Sequence, residues 1–398
     1  MLILFPNIHH SLSHDIESLY RQQSDFLYWT QISSPDCRAI VITQRNSIWH
    51  EQCLDRFFFV SIRDEKKILR EWKKIDQEYI TTLHPDAHVF PLSEWDSLLP
   101  TIIQQYPDEI IYHNCELLNT DKLSFCKNTN SYLDQMENLK YIVNRDISPL
   151  DSNRFYRAVK SDEEIEKISK AQKITLEAID YAVSHIHPGM YEYEIAAKLS
   201  YYYAKLGYSD AFRPIVASGK NACTLHYTTN DSIIQSWDII LIDTGVIIEW
   251  YCGDCSRSVF CPLSEKDVEN EKGSDENKND YEMKKILLAI VQSVYNSCLS
   301  FVKPWISLKQ LHQYAWECFE ILFIEYWLER KAEYFPHAIW HSIGLDVHDP
   351  LDKDRLLEPG MCITIEPWIY IATSWIGIRW EDIVIVDEIW CQLVSKSN

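Results

Sequence analysis

Asp238–Phe260 reads DIILIDTGVIIEWYCGDCSRSVF, and its two interior aspartates decide how the chain is understood. The run Ile239–Ile242 suits a strand buried on both faces, yet it ends on Asp243. Asp254 follows eleven residues later, inside a second strand-like run. If the two runs form a hairpin, the odd separation lets Asp243 and Asp254 sit directly opposite each other on one face. A buried carboxylate without a counter-charge is strongly unfavourable, and two side by side repel.

The same anomaly recurs downstream. CITIEPWIYI (362–371) carries Glu366, GIRWEDIVIV (377–386) carries Glu381, and AIWHSIGLDVHD (338–349) carries His341 and His348. Four acids and a histidine, each inside an apolar run, are tolerable together only around strong positive charge. Arg379 supplies one unit, so a pair of divalent cations is the better answer. Four carboxylates with one imidazole suit hard ions such as Mn²⁺, with Co²⁺, Fe²⁺ or Zn²⁺ as alternatives.

Bulk properties limit the competing classes. A chain of 398 residues, 46% hydrophobic and 24% charged, predicts two globular domains. The formal charge of −21 argues against nucleic acid and anionic membranes as partners. No apolar run reaches the ~18 residues of a membrane span, and MLILFPNIHH does not read as a signal peptide. The 12 cysteines follow no spacing framework, which predicts free thiols in a reducing cytoplasm. Cys252-Gly-Asp-Cys255 has no second pair to make a zinc site. No G-x-G-x-x-G, P-loop or G-x-S-x-G motif occurs.

Along residues 1–150, strand-like RAIVIT (38–43), RFFFVSI (56–62) and EIIYHN (109–114) alternate with an amphipathic stretch at 65–75, an α/β pattern. NRDISPLDSN (144–153) is the expected linker. A second domain over 155–398 opens with a capping box, Ser161 and Glu164, before a helical period that Pro188-Gly189 stops. A further helix ends at Gly207, and two more are expected at about 283–302 and 307–328. Between them, 264–282 has eight acids and three lysines and is expected to be a solvated loop insertion.

In order and spacing, IVASGKNACTLHYTTND (215–231), Asp238–Phe260, PHAIWHSIGLDVHD, EPGMCITIEPWIYI and GIRWEDIVIV resemble the pita-bread metallopeptidases (family M24). Among them the Xaa-Pro aminopeptidases (aminopeptidase P) fit most closely, with prolidase as the nearest relative. RQQSDFLYWTQIS (21–33) resembles that family's N-terminal domain. The resemblance implies a mixed α/β N-terminal domain followed by a pita-bread catalytic domain, α/β (α+β) in class. It makes Asp243, Asp254, His341, Glu366 and Glu381 the ligands of a dinuclear centre. His226 and His348 match substrate-side histidines, and Arg379 matches an arginine that supports the ligands. The implied reaction is hydrolysis of the bond between an N-terminal residue and a following proline by a metal-bridging water, with Glu366 as general base. A cytoplasmic homo-oligomer, dimer or tetramer, is implied as well. Prolidase activity and a catalytically inactive binding module are the alternatives.

One count does not fit. There are 9 glycines and 14 tryptophans, where average usage of roughly 7% predicts about 28 glycines. Trp237, Trp250, Trp305, Trp340, Trp368, Trp375 and Trp390 stand at glycine-like positions, several of them where the resembled family has glycine. Overpacking costs about 1–3 kcal/mol per site and a strained backbone about 1–3 more. Seven such sites would rival the whole stability of a protein, about 5–15 kcal/mol. The expectation is that these positions are glycine in the cell, encoded by UGA. Some bacterial lineages read that codon as glycine, and another code table reads it as tryptophan.

Overall fold

In the computed structural model, residues 24–33, 37–45, 51–60, 77–106 and 157–394 are described, apart from 263–274, 327, 329–337 and 353, together with short strands at 2–4, 11–13, 16–17 and 112–113. The chain divides into two compact units, Met1–Asn153 and Arg154–Asn398. The amphipathic stretch at 65–75 and the linker at 144–153 lie outside the described residues.

The first unit holds a five-stranded mixed sheet. Its strands run His88–Pro91, Glu51–Val60, Cys37–Arg45, Leu2–Leu4 and Tyr112–His113 from edge to edge. The two central strands alternate strictly. Ile40, Ile42, Phe57 and Phe59 face the helix Trp95–Gln105, whereas Ala39, Val41, Phe58 and Val60 pack with Phe26 and Ile80 on the other side. A period of two with apolar residues on both faces produces such a doubly covered sheet.

The second unit begins with helix α1, Asp162–Val183. Its capping box forms as predicted: Ser161 Oγ accepts from Glu164 N at 3.3 Å, and Glu164 Oε2 accepts from Ser161 N at 2.8 Å. Helix α2, Glu192–Lys205, follows and stops before Gly207, which takes φ +83°. Their apolar stripes pack on a three-stranded antiparallel sheet of Ile215–Ser218 (β1), Ile239–Thr244 (β2) and Cys255–Phe260 (β3). Helices α3, Asp275–Phe301, and α4, Leu308–Glu325, form a second layer. They share a core with Cys362–Ile365 (β4), Trp368–Ile371 (β5), Ile376–Arg379 (β6) and Asp382–Val386 (β7).

Two expectations change. Residues 275–282 belong to α3 rather than to an acidic loop. Ion pairs within one turn, Lys284 with Asp280 and Lys285 with Glu282, help the helix begin earlier than its apolar period shows. The hairpin register also differs. Asp243 pairs with Ser256, and Ile247 with Cys252, so by continuity Asp254 lies across from Gly245. The two aspartates are therefore diagonal neighbours two residues out of register, still on one face. The reason is the turn. Ile248 pairs with Tyr251, leaving Glu249 and Trp250 as a two-residue loop, with φ 48° and 77°. Positive φ at both positions is the type I′ signature.

Positive φ recurs at other tryptophans of the anomalous set: Trp237 at 74°, Trp305 at 69° and Trp375 at 55°. Trp375 is the left-handed cap that ends a short 3-10 turn, a position glycine normally fills. Trp305, Trp375 and Trp390 leave 62%, 57% and 65% of their surface in water. Trp368 is buried in β5 and stacks on Tyr370 at 5.1 Å. Trp340 is half-buried, with no hydrogen-bond partner for Nε1 among the described residues.

Candidate metal centre

Four strand segments deliver the acids, and one loop delivers His341, to a common point. Asp243 ends β2, Asp254 immediately precedes β3, and Glu366 and Glu381 each follow a strand end. The register of β4 with β7, Ile365 to Asp382, and of β5 with β6, Trp368 to Arg379, sets Glu366 across from Glu381 by continuity. His341 is tied beside β4, since its backbone N donates to Thr364 Oγ1 at 3.0 Å and its carbonyl accepts from Thr364 N at 2.8 Å.

The histidine ring is held for work at one nitrogen. Nδ1 lies 3.1 Å from the Ser342 carbonyl, so it is the protonated donor there. Nε2 is left facing Asp254 at 3.4 Å, Glu381 at 3.4 Å and Glu366 at 3.7 Å. Ligating atoms of Asp254, His341 and Glu381 all lie within 4.8 Å of one another.

Arg379 organises the opposite side. Its Nε donates to Ser256 Oγ at 2.7 Å, its Nη1 to Tyr370 OH at 2.7 Å and its Nη2 to Asp243 Oδ2. Ser256 Oγ passes the connection on to Glu381 Oε2 at 2.7 Å. Asp243, Asp254, Glu366, Glu381 and Arg379 are all buried.

All eight residues singled out from the sequence line one cavity of about 530 Å³: Asp243, Asp254, His341, Glu366, Glu381, His226, His348 and Arg379. His226 is exposed in its wall, and the His348 ring lies 4.2 Å from that of His341. Ser256 and Tyr370 were not anticipated. Each had a signal in the period-two rule, as the residue two positions beyond Asp254 or Trp368 on the same strand face. Phe212 and Arg213, also in the lining, carried none.

The electrostatics favour positive charge at the centre of the cavity. Burial raises Asp243 to about 6 against the pull of Arg379. Burial, then repulsion from Glu381, pushes Asp254 and Glu366 well above the usual carboxylate range. Burial would raise Glu381 too, but His341 and Arg379 outweigh it and hold this carboxyl low. Burial opposes protonation of His341, yet Asp254 and Glu381 raise it well above the usual imidazole value. Burial and the neighbouring His341 charge lower His348 to about 4.

Asp243 Oδ1 and Glu381 Oε1 are buried acceptors with no hydrogen-bond partner among the described residues. Four carboxylates, one imidazole nitrogen free of other bonds and orphaned acceptor oxygens are the donor set of a hard divalent ion. The residues fit such a group.

A buried carboxylate–imidazole cavity backed by paired helices and antiparallel strands defines a metallopeptidase centre of pita-bread architecture. Comparison with known proteins agrees. Residues 166–388 match the model of metallopeptidase family M24, and residues 1–112 match the aminopeptidase P N-terminal domain. The chain belongs to family M24. It is 27% identical over 410 residues to the Xaa-Pro aminopeptidase of Escherichia coli (strain K12), covering 94% of this chain and 86% of the relative. It is 29% identical over 331 residues to the Xaa-Pro dipeptidase of Pyrococcus furiosus, covering 81% and 86%. Among solved structures, proline aminopeptidase P II from Yersinia pestis superposes with a TM-score of 0.78 at 25% identity, covering 99% of this chain and 91% of that one. Aminopeptidase PepP of Pseudomonas aeruginosa gives 0.79 at 25%, covering 99% and 90%.

Proposed function

We propose that this metallopeptidase is an Xaa-Pro aminopeptidase with a dinuclear centre, releasing the N-terminal residue of peptides whose second residue is proline. The observation that carries the reading is the single cavity joining the four carboxylates to His341 Nε2. Asp243, Asp254, His341, Glu366 and Glu381 are the proposed ligands. Mn²⁺ is the proposed ion, because oxygen donors dominate the set.

Bound divalent ions supply Lewis acidity and lower the pKa of the attacking water. The protein groups do the rest. Glu366 is the proposed general base, since burial and Glu381 raise its proton affinity while it still faces the cavity. His226 and His348 would donate hydrogen bonds to the carbonyl oxygen as charge develops on it. Arg379 keeps Asp243 ionised and oriented, and through Ser256 fixes Glu381.

The catalytic domain is proposed as 155–398, with 1–150 as the N-terminal domain. No helix among the described residues is long and apolar enough to cross a membrane. The nine described cysteines are free, which supports a reducing cytoplasm as the working compartment.

The test is hydrolysis by the Mn²⁺-loaded chain of a dipeptide, a tripeptide and a longer peptide, each beginning Xaa-Pro. Cleavage of all but the dipeptide, or of all three, supports the reading. Cleavage of the dipeptide alone makes the protein a prolidase. Metal uptake without any cleavage leaves only the inactive binding module. Glu366→Gln should lower kcat by about 10²–10⁴-fold, the usual share of a general base.

A further inference from the structure

Beside the metal cavity lies a second one of about 470 Å³, and the two share Phe212 and Arg213 as a common sill. One wall is a face of α2, Tyr193, Ala196, Ala197 and Ser200, and the other includes Asp210 and Asn230. Arg213 is exposed. Pro214 after it disfavours a helical backbone there, and Ile215 begins β1 directly opposite Asp243. Arg213 thus sits two residues ahead of the metal-site register, and it lines the metal cavity together with Ile215.

The charges of the two linings make Arg213 distinctive. Arg379 is engaged by Ser256, Tyr370 and Asp243. Arg213 makes no ion pair among the described residues, and Asp210 across from it is occupied by Ser200 Oγ at 2.9 Å. On a chain of formal charge −21, a peptide's own carboxylate is disfavoured near the surface unless a cation receives that group. The N-terminal end of the substrate must lie at the metal cavity, so the remainder leaves across the sill.

We propose that Arg213 is a specificity-determining residue that receives a substrate carboxylate beyond the proline, and that short peptides with a free C-terminus are favoured for this reason. The proposal rests on the Xaa-Pro reading above. Two strand residues span about 6.6 Å, which matches a carboxylate carried about two residues past the cut, as in Xaa-Pro-Yaa. A planar guanidinium meets a carboxylate through two parallel hydrogen bonds, and an ammonium does not.

The experiment compares kcat and KM of the Mn²⁺-loaded full chain on Xaa-Pro-Ala, its C-terminal amide and the amide of Xaa-Pro-Glu. Wild type should favour the acid over the alanine amide by roughly 1.5- to fivefold in kcat/KM, the range for an exposed charge pair. Arg213→Ala should abolish that preference through KM with kcat unchanged, and Arg213→Lys should retain part of it. Recovery with the glutamate amide alone would identify a side-chain carboxylate as the group received, and recovery with the free acid alone a C-terminal one. Either result supports the assignment. An equal acid-to-amide ratio in wild type and Arg213→Ala overturns it while leaving the function standing. Failure of wild type to cut any Xaa-Pro peptide overturns the function first.

Discussion

Replacing tryptophan by glycine at Trp237, Trp250, Trp305 and Trp375 should stabilise the protein, although a large side chain is lost each time. All four take positive φ, between 55° and 77°. An L-residue with a Cβ is strained there by about 1–2 kcal/mol, a strain glycine does not feel. Glycine adds unfolded-chain entropy worth about 0.4–1 kcal/mol in the opposite direction. Trp305 and Trp375 are 62% and 57% exposed, so the burial forfeited is smallest at those two sites and larger at Trp250, 38% exposed, and at Trp237, which packs on Tyr281. Each change should then gain about 0.5–1 kcal/mol, and well-separated sites add, for about 2–4 kcal/mol in the quadruple variant. In a unit of this size that raises Tm by roughly 5–15 °C, measurable by near-ultraviolet circular dichroism during a thermal scan. Trp390→Gly is the control, exposed but without positive φ, and should change Tm little. Equal or lower Tm in the quadruple variant would refute the strain argument. The codons at 237, 250, 305, 340, 368, 375 and 390 test the wider expectation: UGA, with native protein lighter by one tryptophan-to-glycine difference per site, supports it, and UGG at most of them ends it.

Other outcomes follow from the buried polar network. Glu192 is fully buried and accepts from Ser218 N and Oγ, both at 2.7 Å, Tyr227 OH at 2.7 Å, Ser232 N at 3.0 Å and Asn221 Nδ2 at 3.1 Å. Glu192→Gln would set an amide donor against this ring of donors and should cost about 2–4 kcal/mol in urea unfolding. Asp349 is buried between Arg157 and Lys160, with Lys160 Nζ at 3.2 Å. Asp349→Asn leaves the buried Lys160 without its carboxylate and Arg157 with Asp346 alone, at 2.7 Å, and should cost about 3–5 kcal/mol. Burial opposes ionisation of Asp349, but Lys160 and Arg157 outweigh it and hold the carboxyl below its usual value. Its contribution is therefore present above the unfolded carboxylate pKa and lost as pH falls through the folded one, a loss the asparagine variant should not show. Asp254, Glu366 and His341 have raised proton affinities without metal. Metal loading at neutral pH should release protons and weaken as pH falls, and titration calorimetry in buffers of different ionisation enthalpy measures the release.

The candidate metal centre was legible because burial makes acids conspicuous. Asp243, Asp254, Glu366, Glu381 and His341 announced themselves as charges inside apolar runs, and the capping box at Ser161 is a pattern local to four residues. Local patterns could not set the hairpin register. Whether Asp254 faces Asp243 or Gly245 depends on which two residues turn, and Glu249-Trp250 lacks the Asn-Gly wording that normally marks a type I′ loop. The start of α3 was hidden for a related reason, since charged residues that carry no apolar period can still extend a helix. Ser256, Tyr370, Glu192 and Arg213 are ordinary polar residues in sequence. Ser256 acquires its role by touching Arg379, 123 residues away, and Arg213 by standing where two cavities meet. A single sequence exposes what is anomalous for its own neighbourhood, the buried charges and the misplaced tryptophans. Partnerships between distant side chains exist only once the strands are paired, so the tertiary structure alone decided which groups orient the proposed ligands and where the cavity opens.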